Sequence, residues 1–254
     1  MEKTEETRSA EGTIEIGASP ERVWRALTDP RELERWFPLE ARVEPGPGGS
    51  VWLSWKNEFA GLSEIVAWRP PHVLAYAWGW SEDAPPQVTE YVLEGDGGST
   101  LLRVVTSGFP ADASWDDMVE GTRTGWSFEL RSLKAYLERH DGESRHVAYV
   151  RRRVPLPSAE IGRRLFGDEG LAARHAPAGS TFDLDSPLQH ACVMERPPDG
   201  LFRLSNEPSY GEAARVVTVF ASAWGPVAQE VAALGEEWRG RLAEAFPEGE
   251  ALEN

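Results

Sequence analysis

The sequence predicts an α+β protein of two tandem units, each an antiparallel sheet packed against a long C-terminal helix. Three observations predict this class. Apolar residues alternate with period two from about residue 41 to 106, and a helical apolar stripe follows as far as Leu137. The same order of patterns returns in shortened form after residue 146. We expect one domain over 10–140, a second over 146–248, and a linker at 140–144.

The first elements are a short strand, Thr13–Ile16, and two short helices. Ser19-Pro20 is a strong start signal, because serine caps a helix and proline fits its first turn. Asp29-Pro30 starts the second helix, with Glu32 at the spacing of a capping box. Pro38 ends it.

An antiparallel meander follows, because period-two segments are separated by glycine-rich or proline-rich turns. Gly46-Pro47-Gly48-Gly49 forms one turn, and Asp96-Gly97-Gly98 forms a hairpin. The predicted strands are Val51–Trp55, Leu62–Trp68, Val73–Trp80, the alternating segment Thr89–Leu93, and Leu101–Thr106.

The meander leads into one long helix. Ser114 is the predicted N-cap, and Asp116 and Asp117 lie in the first turn, where the helix dipole favours acidic groups. The apolar residues at steps of three and four are Trp115, Met118, Val119, Trp126, Leu130, Leu133 and Leu137, with Thr122 among them. Asp141-Gly142 ends the helix. Such a stripe requires a broad apolar surface, which the meander provides.

Charge and composition restrict the partners. With 26 Lys+Arg against 42 Asp+Glu, the net charge is -16, which disfavours nucleic acid and anionic membranes as partners. No apolar run approaches the roughly 18 residues of a membrane span. The acidic N-terminal segment does not resemble a signal peptide. Cys192 is the single cysteine, which excludes an intrachain disulfide. We therefore expect a cytoplasmic protein.

Three sequence segments resemble a known family. They are ASPERVWRALTDPRELERWF at 18–37, WRPPHVLAYAW at 68–78, and LRVVTSGFP at 102–110, followed by Trp126 and SLKAYLE at 132–138. Residues 10–140 resemble the START-like helix-grip (SRPBCC) superfamily, in particular the branch related to the activator of the heat-shock ATPase. The resemblance implies the helix-grip fold, in which an antiparallel sheet curves around the long C-terminal helix.

Two positions depart from the pattern of these relatives. Thr106 stands where the last strand of relatives often has histidine, and Ala67 stands where many have an acidic residue. An acid–base role of those positions is therefore not expected in this chain. The preference for Arg over Lys is typical of high-GC codon usage, and we expect a bacterial source.

The second half resembles a shortened copy of the first. ERPP at 195–198 corresponds to WRPP at 68–71, and RVVT occurs at both 103–106 and 215–218. Trp238 follows the second RVVT at the same distance as Trp126 follows the first. We interpret this as a degenerate tandem duplication. The alternative is a single domain with an unrelated α+β appendage.

Aromatic residues are the candidates for a ligand site, because they offer broad apolar faces, and tryptophan adds an N–H donor. Nine of the eleven tryptophans lie in the first half, so we expect the pocket there, between sheet and helix. The candidates are Trp36, Phe37, Trp55, Phe59, Tyr76, Trp78, Tyr91, Trp115 and Trp126. The alternative is that these rings fill a solid core.

No catalytic or metal constellation is apparent. The five histidines lack metal-ligand spacing, and neither a nucleophile elbow nor a phosphate loop occurs. Cys192 lies in an apolar strand and is expected to be buried, while Arg151–Arg153 are expected on a solvated strand edge. The interior polar candidates are Glu58, Glu64, Glu90, Thr106 and Arg123, of which we expect Glu64 and Glu90 to face solvent. We assign no catalytic residue, cofactor or metal.

Three functional hypotheses remain open. The first is a cytoplasmic protein, monomer or homodimer, that binds a small hydrophobic or aromatic molecule in the first domain. The second is a co-chaperone-like or regulatory module with a protein partner. The third, which rests on the resemblance alone, is an enzyme of the polyketide cyclase type.

Overall fold

The computed structural model describes residues 7–79, 86–95, 97–181, 188–208 and 214–253. The chain divides into two compact units, Met1–Gly142 and Glu143–Asn254. Each unit contains an antiparallel sheet and a long helix, so the predicted α+β helix-grip class is confirmed.

The first unit has, within the described residues, seven strands and three α-helices. In chain order they are β1 (Thr7–Ile16), α1 (Pro20–Thr28), α2 (Pro30–Leu33), β2 (Glu40–Glu44), β3 (Ser50–Ser54), β4 (Ala60–Arg69), β5 (Val73–Trp78), β6 (Gln87–Gly95), β7 (Thr100–Pro110) and α3 (Asp116–Arg139). The strand order in the sheet is β1-β7-β6-β5-β4-β3-β2. Trp80 and Asp96, which the sequence assigned to a strand end and a turn, lie outside the described residues.

The two short helices begin where the sequence predicts. The Ser19 hydroxyl accepts a hydrogen bond from the backbone N–H of Arg22 at 3.3 Å. The Asp29 carboxylate accepts one from the backbone N–H two residues later, at 2.8 Å. Glu32 does not complete the predicted capping box, because the Asp29 backbone N–H donates to the carbonyl of Arg25.

Glu32 instead occupies the centre of a polar cluster. Its carboxylate accepts a hydrogen bond from the Tyr136 hydroxyl at 2.9 Å. It also forms ion pairs with Arg22 at 2.6 Å and with Arg35 at 3.0 Å. Arg22 reaches Asp141 as well, just beyond the end of α3. The cluster therefore fastens both short helices to the C-terminal end of the long helix.

The start of α3 differs from the prediction. The helix begins at Asp116, and a 3-10 turn over Ala113–Trp115 precedes it. Asp112 caps this turn by accepting a hydrogen bond from the Ser114 backbone N–H at 2.9 Å, so the prediction of Ser114 as N-cap is wrong. Asp112, two residues before Ser114, takes the capping role because its carboxylate accepts this backbone hydrogen bond. Hydrogen bonding to Ser114 lowers the pKa of Asp112.

Helix α3 lies close against strand β1, and Gly12 permits this approach. A Cβ atom at Gly12 would lie 2.9 Å from Leu130 Cδ1 and 3.3 Å from Trp126 Cβ. Any side chain at this position would push the helix away from the sheet. Gly12 therefore sets how closely Trp126 approaches the strands.

The second unit has the following elements within the described residues: β8 (Arg145–Val154), α4 (Ser158–Phe166), α5 (Leu171–His175), β9 (Gly179–Thr181), β10 (Gln189–Met194), β11 (Leu201–Pro208), β12 (Arg215–Trp224), α6 (Ala228–Ala245) and β13 (Glu250–Leu252). The strand order is β13-β8-β12-β11-β10-β9. Its apolar core includes Phe202, Trp238 and Phe246.

The prediction of a solvated edge at Arg151–Arg153 is wrong. Strand β8 is internal, because β13 pairs with it on one side and β12 on the other. Arg152 donates hydrogen bonds to the backbone carbonyls of Phe246 (2.8 Å) and Gly249. The arginine run thus holds the C-terminal strand in place, and all three side chains are half-buried.

The order of elements repeats between the units, but the RVVT match is out of phase. Val104 and Thr106 face α3, since Thr106 is bonded to Trp126 on that helix. In β12 it is Val217 and Val219 that join the core around α6. Successive side chains of a strand point to opposite faces of the sheet. Because 112 is an even number, this offset would align the inward-facing residues of β7 with residues on the other face of β12, so the two RVVT segments do not correspond. The tandem duplication remains our proposal, supported by element order and not by this motif.

Candidate ligand-binding site

The interior of the first unit is formed by one face of the sheet and by helix α3. Along β6, burial alternates so that Gln87, Thr89, Tyr91 and Leu93 are buried. β7 alternates in the same way, and its register with β6 places Thr106 opposite Thr89. Both central strands therefore present a mixture of polar and apolar side chains to the helix.

Phe37, just after α2, is the centre of an aromatic network. Its ring stacks on Trp36 with centroids 5.0 Å apart. It meets Trp55 edge-on at 5.1 Å and lies 5.4 Å from Trp126 of α3. Offset and edge-to-face contacts at these distances are the favourable arrangements of aromatic pairs. The network thus links the short helices, the β3–β4 hairpin and the long helix.

Two branches extend from this centre. Trp55 contacts Phe59 at 6.3 Å, and Phe59 contacts Trp78 of β5 at 4.9 Å. Along the other branch Trp126 meets Tyr91 at 5.8 Å. The ring of Tyr76 is 6.0 Å from that of Tyr91.

Among the ring contacts described above, eight of the nine predicted residues are joined to one another. The ninth, Trp115, is half-buried in the 3-10 turn before α3. Burial decreases across the network. The buried rings are those of Trp36, Phe37, Tyr91 and Trp126. Trp55, Phe59, Tyr76 and Trp78 are half-buried. The aromatic surface therefore extends from the core towards the exterior through the connection between β3 and β4 and along β5.

Thr106 links the sheet to the helix. The Trp126 indole N–H donates a hydrogen bond to the Thr106 hydroxyl at 2.9 Å, and that hydroxyl lies 3.1 Å from the hydroxyl of Thr89. Threonine at position 106, where relatives often have histidine, thus acts here as a structural hydrogen-bonding group.

A pair of phenols occupies the end of the second branch. The hydroxyls of Tyr76 and Tyr91 are 3.1 Å apart. Burial raises the pKa of Tyr76 to about 12. The pKa of Tyr91 is raised above its ordinary value by burial first, and then by Tyr76 and Glu129. Both phenols are therefore neutral at physiological pH and serve as hydrogen-bonding groups, not as bases.

Two interior polar residues were missed by the sequence reasoning. Glu129 is 7% exposed and lies on α3 three residues after Trp126, on the side facing Tyr91. Gln87 is also 7% exposed and is the first residue of β6. The signal for Gln87 was available, since it precedes Thr89 and Tyr91 by steps of two. Glu129 was hidden because an acidic residue on a helix is usually assigned to the solvent face.

The polar candidates named from the sequence do not meet at one point. Glu58 and Glu64 are exposed, as expected for Glu64, whereas Glu90 is half-buried. Arg123 forms an ion pair with Glu120 of the same helix at 3.0 Å. Within the described ranges, no group of three His, Cys, Asp or Glu residues is positioned to hold a metal ion.

Cys192 of the second unit is buried, as predicted. Burial raises the pKa of its thiol to about 11. A neutral, enclosed thiol is a poor nucleophile, so Cys192 acts as a packing residue in the core of that unit.

Comparisons with known proteins give one family match and a set of structural neighbours. The family model of the "Activator of Hsp90 ATPase homolog 1-like protein" matches residues 17–138. A Mesorhizobium loti protein of known structure is 27% identical with a TM-score of 0.47, and the match covers 53% of this chain and 99% of that chain. The Aha1 dimer from Colwellia psychrerythraea is 22% identical with a TM-score of 0.47, over 53% of this chain and 99% of that chain.

DynU16, a protein from the dynemicin biosynthetic locus, is 19% identical with a TM-score of 0.45, and the match covers 94% of this chain and 98% of that chain. A comparison with curated proteins found no match. Among the helices that the structure describes, none is both long and apolar enough to cross a membrane.

Proposed function

Since residues 17–138 form a domain of the activator of Hsp90 ATPase homolog 1-like family, with the START-like helix-grip fold, we propose that this domain binds a small aromatic or hydrophobic molecule. In this proposal the chain is a cytoplasmic binding protein, and the ligand lies between the sheet and α3. The observation that supports it is the continuous aromatic network from buried Trp36 to half-buried Trp78.

The half-buried rings of this network form the proposed contact surface. Apolar area removed from water contributes about 25 cal/mol per Å², so a planar ligand covering 200 Å² gains roughly 5 kcal/mol before the costs of association. Rings that meet edge-on, such as Phe59 and Trp78, leave faces and edges on which another ring can stack. An aromatic ligand fits such a surface better than a flexible aliphatic chain.

The proposal assigns binding and no reaction. The two interior phenols are neutral at physiological pH, and burial raises their pKa values further above it. The interior threonines are bonded to each other and to Trp126. Neutral phenols, and threonine hydroxyls that are already bonded within the protein, are poor general bases, so this arrangement favours binding over acid–base chemistry.

A fluorescence titration tests the proposal. 1-Aminoanthracene, whose emission rises in an apolar site, is added to the full chain and to two tryptophan variants. Trp55→Ala removes a ring of the network and is expected to weaken binding about fivefold, which corresponds to roughly 1 kcal/mol for an aromatic contact. Trp52→Ala is the matched control, because Trp52 lies beside exposed Leu62 on the other face of the sheet and packs under Arg42 at 4.5 Å. Equal affinities of all three proteins would contradict the proposal.

A protein partner is the second candidate function. Leu62 and Val66 on β4 are 63% and 53% exposed, which is unusual for large apolar side chains. The name of the matched family refers to activation of the Hsp90 ATPase, a function of protein association. The test is the ATPase rate of purified Hsp90 with the wild-type chain and with Leu62→Glu. Stimulation that is lost in the variant would favour this candidate, and no stimulation would exclude it for Hsp90.

A further inference from the structure

Gln87 is an interior residue of the first unit whose side-chain amide nitrogen has no hydrogen-bond acceptor among the described residues. It opens strand β6 on the same face as Thr89, Tyr91 and Leu93, and the residue is 7% exposed. Within the part of the chain that the structure describes, its buried Nε2 atom has no hydrogen-bond acceptor. Burying an amide in this state costs free energy, and native proteins seldom accept that cost without a reason.

The other inward-facing polar side chains of β6 and β7 are hydrogen-bonded, which distinguishes Gln87 among the residues of these two strands. Among the described inward-facing residues of β6 and β7, Thr89 is bonded to Thr106. Tyr91 is bonded to the hydroxyl of Tyr76, and Thr100 donates to a backbone carbonyl at 2.7 Å. The fold therefore pairs polar groups along this face wherever it retains them, and Gln87 is the exception.

Gln87 also lies beside the aromatic network. Its cross-strand partner in β5 is Trp78, the half-buried ring that contacts Phe59 at 4.9 Å. Cross-strand partners have Cβ atoms about 5 Å apart, so the amide and the indole border the same space. A ligand stacked on this ring would bring the atoms on its own rim within reach of the Gln87 amide.

We infer that Gln87 recognises an acceptor oxygen on the ligand, and that the ligand is an aryl carbonyl compound. The carbonyl oxygen supplies the acceptor that Nε2 lacks, while the aryl ring contacts Trp78 and Phe59. This inference rests on the proposed function and specifies its ligand class. Gln87 is a specificity-determining residue in this account, because a ligand without the oxygen leaves the amide unsatisfied.

The test uses two probes that differ only in the oxygen-bearing group. 2-Acetylnaphthalene and 2-ethylnaphthalene have the same ring and similar size, and their dissociation constants are measured by equilibrium dialysis against the full chain. The wild type is expected to prefer the ketone by roughly tenfold, the value of one net hydrogen bond. Gln87→Leu is expected to abolish this preference while binding 2-ethylnaphthalene as tightly as before.

A matched variant and a folding control complete the experiment. Thr89→Val removes a hydroxyl that is already bonded within the protein, so the preference for the ketone is expected to persist. Gln87→Leu is expected to keep or raise the midpoint of thermal unfolding, because it removes an unsatisfied amide. If Gln87→Leu does not fold, Gln87→Met is used in its place, because methionine preserves the length of the side chain.

The outcomes separate the inference from the proposed function. Equal binding of both probes by the wild type, or an unchanged preference in Gln87→Leu, overturns the inference and leaves aromatic binding intact. Failure of both probes to bind the wild type contradicts the proposed function, and the inference fails with it. A preference that disappears in both Gln87→Leu and Thr89→Val overturns the assignment to Gln87.

Discussion

The indole N–H of Trp126 donates a hydrogen bond to the hydroxyl of Thr106 across 2.9 Å, and this contact joins helix α3 to strand β7. Both residues are buried, with exposed fractions of 7% and 6%. The contact holds the Trp126 ring in position between Phe37 and Tyr91, so the position of the long helix and the geometry of the aromatic network depend on each other.

Replacing Trp126 by Phe is expected to lower the free energy of unfolding more than the same change at Trp238. Trp126→Phe leaves the Thr106 hydroxyl with one partner fewer, at a cost of about 1–2 kcal/mol beyond the loss of ring area. Trp238 Nε1 is buried and has no acceptor in the described residues, so Trp238→Phe removes an unsatisfied donor. Urea unfolding followed by far-ultraviolet circular dichroism measures both. A larger loss for Trp238→Phe would show that the Thr106 bond is unimportant.

The glycine at the helix–strand contact is expected to resist substitution. Gly12→Ala places a methyl group 2.9 Å from Leu130 Cδ1, and overpacking of this kind costs about 1–3 kcal/mol. Combining it with Leu130→Ala is expected to cost less than the sum of the two single changes.

Gly125→Ala on α3 is the control, and it is expected to change the free energy of unfolding in the opposite direction, since the new Cβ meets no described atom within 4 Å. It is expected to stabilise the helix by about 1 kcal/mol, as alanine does in helix interiors.

The ion pair between Arg22 and Asp141 predicts a dependence of stability on pH. The hydrogen bond from Arg22 lowers the pKa of Asp141 below its ordinary value. Because the pKa of Asp141 is lower in the folded state than in the unfolded state, the ion pair stabilises the protein at pH values above the ordinary aspartate pKa of about 3.9. This stabilisation is lost as the pH falls through the pKa that Asp141 has in the folded state.

The variant Asp141→Asn tests this dependence. It is expected to be less stable than the wild type at pH 7 and equal to it near pH 2. The difference is expected to stay below about 1 kcal/mol, because the Asp141 side chain is 51% exposed and solvent screens the pair. The free energies of unfolding of both proteins, measured from pH 7 down to pH 2, provide the comparison. A difference that grows on acidification would contradict this assignment.

Arg152 is expected to matter more than its neighbour Arg153 for the second unit. Arg152→Met removes hydrogen bonds to the backbone carbonyls of Phe246 and Gly249 and is expected to cost about 1–3 kcal/mol. Arg153→Met removes an ion pair with Glu250, whose side chain is 65% exposed, and is expected to cost less than about 1 kcal/mol. Hydrogen exchange of the amides in β13 measures the loosening of that strand. Equal exchange in the two variants would contradict the role of Arg152.

The local elements of the first unit were predictable because their signals are short in range. Ser19-Pro20 and Asp29-Pro30 start helices through contacts within a few residues, and strand alternation is visible at Thr89 and Tyr91. The aromatic network was predictable as a set of residues, since large rings concentrate where sheet and helix meet. The contact between particular rings was not, because it depends on tertiary packing.

Other features required the tertiary structure. Nothing near Arg152 indicates that a three-residue strand almost a hundred residues later covers its edge of the sheet. The RVVT repeat misled because four matching letters do not specify which face each residue occupies. Glu129 was overlooked because an acidic residue on a helix is assigned to solvent by default, whereas the period-two position of Gln87 in β6 was a usable signal.

Native mass spectrometry of the full chain tests the central claim most directly. The freshly purified protein, and the same protein incubated with 2-acetylnaphthalene, are sprayed under gentle activation and then denatured. The account predicts a one-to-one complex whose added mass disappears on denaturation and whose abundance falls in Trp55→Ala but not in Trp52→Ala. A chain that retains no added mass in any sample, or a complex equally abundant in both variants, would contradict ligand binding at the aromatic network.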